Sequence, residues 1–176
     1  MIPAETNSEC GPRQIYPLRP SQTRDSGDRP RLVRVSRCED CQATGRFGRC
    51  EELFHTLLAL DHQRLAPWGE YHGLNVACYY LQHPSTAPAD AAGGQWTLVE
   101  AFRDGGLEAV HRLETQRVAQ NRMGRFVAEG ATGLPERTQP ARYTIEDLSV
   151  DGSFPAEGCE HRMAQWISSV LAERSA

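Results

Sequence analysis

Apolar residues recur along much of the chain at the three- and four-residue spacing that puts them on one face of an α-helix. In CEELFHTLLALDHQRL this spacing predicts a helix over residues 50–64. In YHGLNVACYYLQHP it predicts a second helix over residues 71–83, which ends before Pro84. A short connection with Pro67 and Gly69 joins them, so we expect the two helices to pack as antiparallel neighbours.

The second half of the chain continues the helical pattern. After an expected loop over residues 84–94, WTLVEAFRDGG predicts a short helix ended by Gly105 and Gly106, and LEAVHRLETQRVAQNRM predicts a more polar helix. TIEDL begins with the spacing of a capping box, and EHRMAQWISSVLAER has the apolar stripe of an amphipathic closing helix. Residues 124–142 are expected to be irregular. Because no segment alternates as a strand does, the sequence predicts a mainly α fold.

Residues 1–37 follow no such pattern. They hold five of the eleven prolines and no apolar periodicity, which predicts a disordered tail or an artefact of start-codon choice. We therefore expect a single helical domain over residues 38–176, long enough to bury a core. The first residues lack the basic start and apolar stretch of a signal peptide, and no apolar run approaches the roughly 18 residues that span a membrane. A cytoplasmic protein with no membrane segment is the expectation.

The basic residues exclude several mechanisms. All nineteen are Arg, so the sequence has no lysine for a Schiff base, a P-loop or a kinase-type phosphate clamp. Residues 1–37 carry seven Arg against four acidic residues, whereas the remainder carries twelve Arg against nineteen acidic residues. An acidic body is a poor surface for nucleic acid, so we do not expect a nucleic-acid partner.

Three of the six cysteines lie close together in CEDCQATGRFGRC, with the spacing C-x2-C-x8-C. In a reducing compartment such spacing is typical of metal binding. The alternative is unrelated reduced cysteines, some of them buried as small hydrophobic residues, but the stretch is polar and offers little to bury them. A C-x2-C turn points Cys38 and Cys41 at one ion, and Gly45 and Gly48 let the chain return to Cys50. Since Cys50 opens a helix, the dipole there favours its thiolate. The sequence thus predicts three ligands of a tetrahedral zinc ion.

A histidine is expected to complete this site, and His83 is favoured. In an antiparallel helix pair the start of the first helix lies beside the end of the second, which places Cys50 near His83. The same packing places His72 near Asp61 and His62, where we interpret His72 as a core-edge imidazole, with a base or a second-site ligand as the functional alternative. His72 and His83 are about 16 Å apart along a continuous helix, so one ion takes only one of them. The alternative fourth ligands that remain open are His72, His161 and His55.

At these residues the chain resembles a bacterial family of uncharacterised proteins, a domain of unknown function. Its members share a C-x2-C, a third Cys that opens a helix, an H-x-L-x-V-x-x-Y-x-x-Q-H-P helix, a Thr-x-x-Asp segment and a late helix with Trp. The matching residues are Cys38, Cys41, Cys50, His72, Leu74, Val76, Tyr79, Gln82, His83, Pro84, Thr144, Asp147 and Trp166. A departure is Gln42, which follows the C-x2-C where the family often has Gly. The resemblance covers most of residues 38–171 and implies a small, soluble, metal-binding domain without implying an activity.

Three functions fit these residues. The first is a zinc-stabilised helical module that mediates protein contacts, since three thiolates and one imidazole would close the coordination shell. The second is a metalloenzyme of unfamiliar type in which water takes the fourth position, although H-E-x-x-H and related signatures are missing from the sequence. The third is nucleic-acid binding through the Arg-rich cysteine turn, which the acidic body disfavours.

Overall fold

A computed structural model of the 176-residue chain describes residues 37–63, 66–88, 91–122 and 134–174. The predicted mainly α fold is confirmed. The helices are α1 (Cys50–His62), α2 (His72–Gln82), α3 (Ala92–Arg122), α4 (Ile145–Leu148) and α5 (Cys159–Ala172), and a 3-10 helix (Trp68–Tyr71) precedes α2. In these ranges, extended pairing is limited to an isolated bridge between Val150 and Ser153. The tail predicted for residues 1–37 lies, except for its last residue, outside the described residues, and the single domain over residues 38–176 stays a prediction.

Helices α1 and α2 run antiparallel, as predicted from their short connection. At one end, His72 Nδ1 lies 3.3 Å from Asp61 Oδ2, and the rings of His62 and His72 are 5.7 Å apart. At the other end, Cys50 opens α1 beside His83, the residue that caps α2. The hairpin therefore fixes two separate groups of polar side chains, one at each end.

Helix α3 is bent back on itself at a glycine pair. Gly105 and Gly106 have non-helical dihedral angles, and Gly106 has φ +62°, a left-handed conformation that glycine adopts without steric cost. Arg117 donates to the Gly94 carbonyl at 3.0 Å, although 23 residues of straight helix would separate them by about 34 Å. The predicted break at the pair is confirmed, but the predicted loop over residues 84–94 ends earlier, because α3 already begins at Ala92.

The core lies between α2 and the helices packed around it, α1, α3 and α5. Leu57, Leu74 and Trp166 are fully buried there. Trp68 Nε1 donates to the Phe154 carbonyl at 2.8 Å, which ties the 3-10 helix to the segment before α5. Across the described ranges, every helix is too short or too polar to cross a bilayer.

Candidate metal centre

A tight turn before α1 presents two cysteines side by side. Gln42 N–H donates to the Cys38 carbonyl and Cys38 N–H donates to the Ala43 carbonyl, both at 2.9 Å. Gln42 has φ +65°, a left-handed conformation that costs a non-glycine residue about 1–2 kcal/mol. Its side-chain amide offsets part of this cost by donating to the Glu39 carbonyl at 3.0 Å. The turn thus forms with Gln42 in the place where glycine would be expected.

The ligand atoms of four residues converge on one point. They all lie within 4.8 Å of one another, and we call this group the Cys3His centre: Cys38, Cys41, Cys50 and His83. The sulfurs of Cys41 and Cys50 are 3.6 Å apart. Two thiolates at about 2.3 Å from a tetrahedral zinc ion are separated by about 3.8 Å, so this distance suits a shared ion. The predicted proximity of His83 to the three thiols is confirmed.

The imidazole of His83 is oriented by the last turn of α2. Its Nδ1 donates to the Tyr79 carbonyl at 2.8 Å, and its ring stacks on Tyr79 at 4.2 Å between centroids. Tyr79 in turn stacks on Phe54 of α1 at 3.8 Å. Because Nδ1 carries the proton, Nε2 presents a lone pair, yet this buried atom has no hydrogen-bond partner among the described residues. A buried nitrogen of this kind, whose ring is fixed through the other nitrogen, is the usual state of a metal-ligating histidine.

The sulfurs of Cys41 and Cys50 lie within hydrogen-bonding distance of each other. The hydrogen bond from Cys50 lowers the pKa of the Cys41 thiol, and contacts with His83 lower it further against the opposing effect of burial. The same contact with Cys41, together with burial, raises the pKa of Cys50. One sulfur is therefore held as a thiolate by its neighbour's proton, and a cation between the sulfurs would replace that proton.

A carboxylate from α4 fixes the loop between the ligands. Glu146 Oε2 accepts hydrogen bonds from the N–H groups of Thr44 at 2.7 Å and Gly45 at 3.2 Å, while Oε1 accepts from the Arg46 N–H. The Thr44 hydroxyl adds a contact at 3.0 Å. The helix that carries Glu146 begins with the predicted capping box, in which the Thr144 hydroxyl accepts from the Glu146 N–H. The cysteine turn is thus bound to a segment one hundred residues away.

A buried polar network holds the end of α2 against α5. Gln82 accepts from the indole N–H of Trp166 at 2.8 Å and donates to the Tyr143 carbonyl and to the Glu173 carboxylate. Since Gln82 immediately precedes His83, this network also fixes the position of the imidazole. Burial raises the pKa of the Glu173 carboxyl, and Gln82 opposes that shift.

The structure separates the favoured ligands from the alternatives. His72 contacts Asp61 at the far end of α2, while His55 and His161 are exposed on α1 and α5, so none of these three joins the Cys3His centre. Sequence reasoning identified all four members of the centre but missed Glu146. Its only signal was its place inside the TIEDL capping box, which does not reveal a partner so distant along the chain.

Comparison with known proteins identifies a family. No curated protein and no solved structure matches this chain at a significant level. A sequence model described as a family of unknown function, DUF5946, matches residues 36–175, a span that includes the whole Cys3His centre. The chain therefore belongs to the DUF5946 family.

Proposed function

We propose that the Cys3His centre binds one zinc ion and that the protein is a zinc-stabilised helical module. The observation that carries this proposal is the convergence of four ligand atoms within 4.8 Å, one of them a buried nitrogen without a partner among the described residues. Three sulfurs and one imidazole nitrogen suit tetrahedral zinc, because soft thiolates favour zinc over hard cations such as magnesium or calcium.

The ion is proposed to have a structural role. Four protein ligands complete a tetrahedral shell, which leaves no open position for a substrate or a water molecule. The segment before α1 contributes few apolar side chains to the core, chiefly Cys41 and Ala43. An ion bound between this segment and His83 would fasten it to α2, so metal binding would supply folding free energy that burial alone does not.

The module is proposed to act by contacting another protein. In support, Val118 on the second half of α3 is 51% exposed, beside a shallow cavity whose lining includes His111, Thr115 and Ala119. A Val118→Glu substitution is expected to abolish any self-association or co-purification of the full chain while leaving its zinc content unchanged. Equal association of the variant and the parent protein would count against this surface.

Metal analysis of the full chain tests the proposed zinc site. We expect about one zinc per chain in the purified protein, and loss of the ion in Cys41→Ser and His83→Gln, because each removes a ligand of a closed shell. The exposed His55 provides a matched control, and His55→Gln is expected to retain the ion. Zinc binding should also release protons from the thiols, which a weakly buffered titration would detect.

The stability of the metal-free protein separates the competing functions. A structural ion predicts that chelation lowers the melting temperature and removes cooperative unfolding of the cysteine turn. A metal-free protein as stable as the zinc-loaded one would overturn the proposal. A cobalt-substituted protein with an exchangeable water on the metal would instead favour the metalloenzyme.

A further inference from the structure

A second group of polar side chains lies at the opposite end of α1 and α2, about 16 Å along the helix axis from His83. The Asp61 side chain is fully buried, and its carboxylate accepts hydrogen bonds from Asn75 Nδ2 at 2.9 and 3.1 Å. It also accepts from His72 Nδ1 at 3.3 Å, whereas the His72 side chain is 50% exposed. A buried carboxylate thus orients a half-exposed imidazole.

This contact leaves the outer nitrogen of His72 available. Because Nδ1 donates to Asp61, Nε2 presents its lone pair on the side away from the core. The ring of His62 is 5.7 Å away at a tilt of 54°. Both rings line a cavity of about 540 Å³ at the helix ends, to which Glu70 also contributes. A carboxylate behind an imidazole, with the free nitrogen facing a cavity, is the arrangement typical of metal-ligating histidines.

The ring separation fits two ligands on one ion. Imidazoles bound to a tetrahedral ion at about 2.0–2.1 Å have ring centroids about 5 Å apart. The observed separation of 5.7 Å between the ring centroids is slightly larger, and a rotation of the exposed His62 side chain would close the difference while His72 keeps its contact with Asp61. The described lining residues also include no hydroxyl or thiol nucleophile, so they favour a binding site over covalent catalysis.

We propose that His62 and His72 bind a divalent transition-metal ion, with Asp61 orienting His72 and Glu70 at the rim. Imidazole is a good ligand for zinc, nickel and cobalt, and the open cavity leaves positions for water or an incoming oxygen ligand. This site would bind more weakly than the closed Cys3His centre and would exchange its ion more readily.

Calorimetric titration of the full chain with zinc, after a chelator has removed any zinc that it carries, tests the second site. We expect two equivalents to bind, a tight one at the thiols and a weaker one at the histidines. His62→Gln and His72→Gln should each lower the affinity for the second zinc equivalent at least about tenfold, since even the loss of a residue that only orients a metal ligand lowers affinity by about this factor. His62 is exposed, so its substitution should leave the helical content and the tight equivalent unchanged.

The exposed His55 lies outside the cavity lining and supplies the control, since His55→Gln should keep both equivalents. Absence of the weaker equivalent from the parent protein would overturn the second site. An unchanged second equivalent in both histidine variants would overturn it too. Failure at the Cys3His centre would appear instead as loss of the tight equivalent, so the two proposals fail in distinguishable ways.

Discussion

Replacing Glu146 with Gln is expected to loosen the cysteine turn. The carboxylate accepts from three consecutive N–H groups, those of Thr44, Gly45 and Arg46. A glutamine supplies one carbonyl oxygen and turns an NH2 group toward the remaining donors. With its oxygen placed for Thr44 and Gly45, its NH2 group meets the Arg46 N–H, so that donor loses its partner.

The magnitude follows from the lost charge and the orphaned donor. A hydrogen bond to a charged group contributes about 1.5–3 kcal/mol, so we expect the free energy of unfolding of the zinc-loaded protein to fall by about 2–3 kcal/mol. Because the turn must be ordered to hold the ion, the same loss would weaken zinc binding by roughly 30- to 140-fold. The effect reaches the metal although Glu146 is not a member of the Cys3His centre.

Urea unfolding of the zinc-loaded protein and competition with a chelator of known affinity measure the two quantities. Glu160→Gln is the matched control, since Glu160 is exposed on α5 and its substitution should change the free energy of unfolding by less than about 0.5 kcal/mol. A Glu146→Gln protein that matches this control in both measurements would refute the reasoning. The carboxylate would then contribute no more than a surface acid.

Two further predictions concern buried groups. Gln82→Leu should lower the free energy of unfolding, measured by urea unfolding, by about 2–4 kcal/mol, because it leaves the buried indole N–H of Trp166 without its acceptor. Gln165 is exposed on α5, so Gln165→Leu is the control. A loss of stability no greater than that of the control would contradict the prediction. Burial raises the pKa of Cys159 from 9.0 to about 12, so the folded state retains a proton that the unfolded state releases over this range. The stability that the buried thiol contributes is therefore complete below pH 9 and falls as the pH rises toward 12. The free energy of unfolding of Cys159→Ala should fall less between pH 9 and pH 12 than that of the parent protein. An equal fall in the two proteins would contradict this prediction.

Local sequence patterns sufficed to predict α1 and α2 and the proximity of the members of the Cys3His centre. The spacing of apolar residues predicted α1 and α2, and the short connection between them made Cys50 and His83 neighbours. The C-x2-C-x8-C spacing then brought the other two thiols to the same place. Each step depended on residues close together along the chain or on a two-helix geometry with few alternatives.

Contacts between distant segments could not be predicted in this way. Glu146 meets the Arg46 N–H across one hundred residues, and no periodicity records such a pairing. The early start of α3 at Ala92 was missed because the glycines at 93 and 94 disfavour a helix by intrinsic propensity. Tertiary contact overrides that propensity, since the guanidinium of Arg117 binds the Gly94 carbonyl.

The uneven distribution of the four proposed ligands along the chain would affect how the protein acquires the proposed zinc ion. Three thiols lie within thirteen consecutive residues, whereas His83 follows thirty-three residues after Cys50. Under the proposed zinc binding, a newly made, unfolded chain would first capture the ion with sulfur alone, and this affinity of the unfolded state would reduce the stabilisation that the ion gives the native state. In such a complex, water would occupy the fourth position on the ion. The nitrogen of His83 would replace that water only when α1 and α2 pack together.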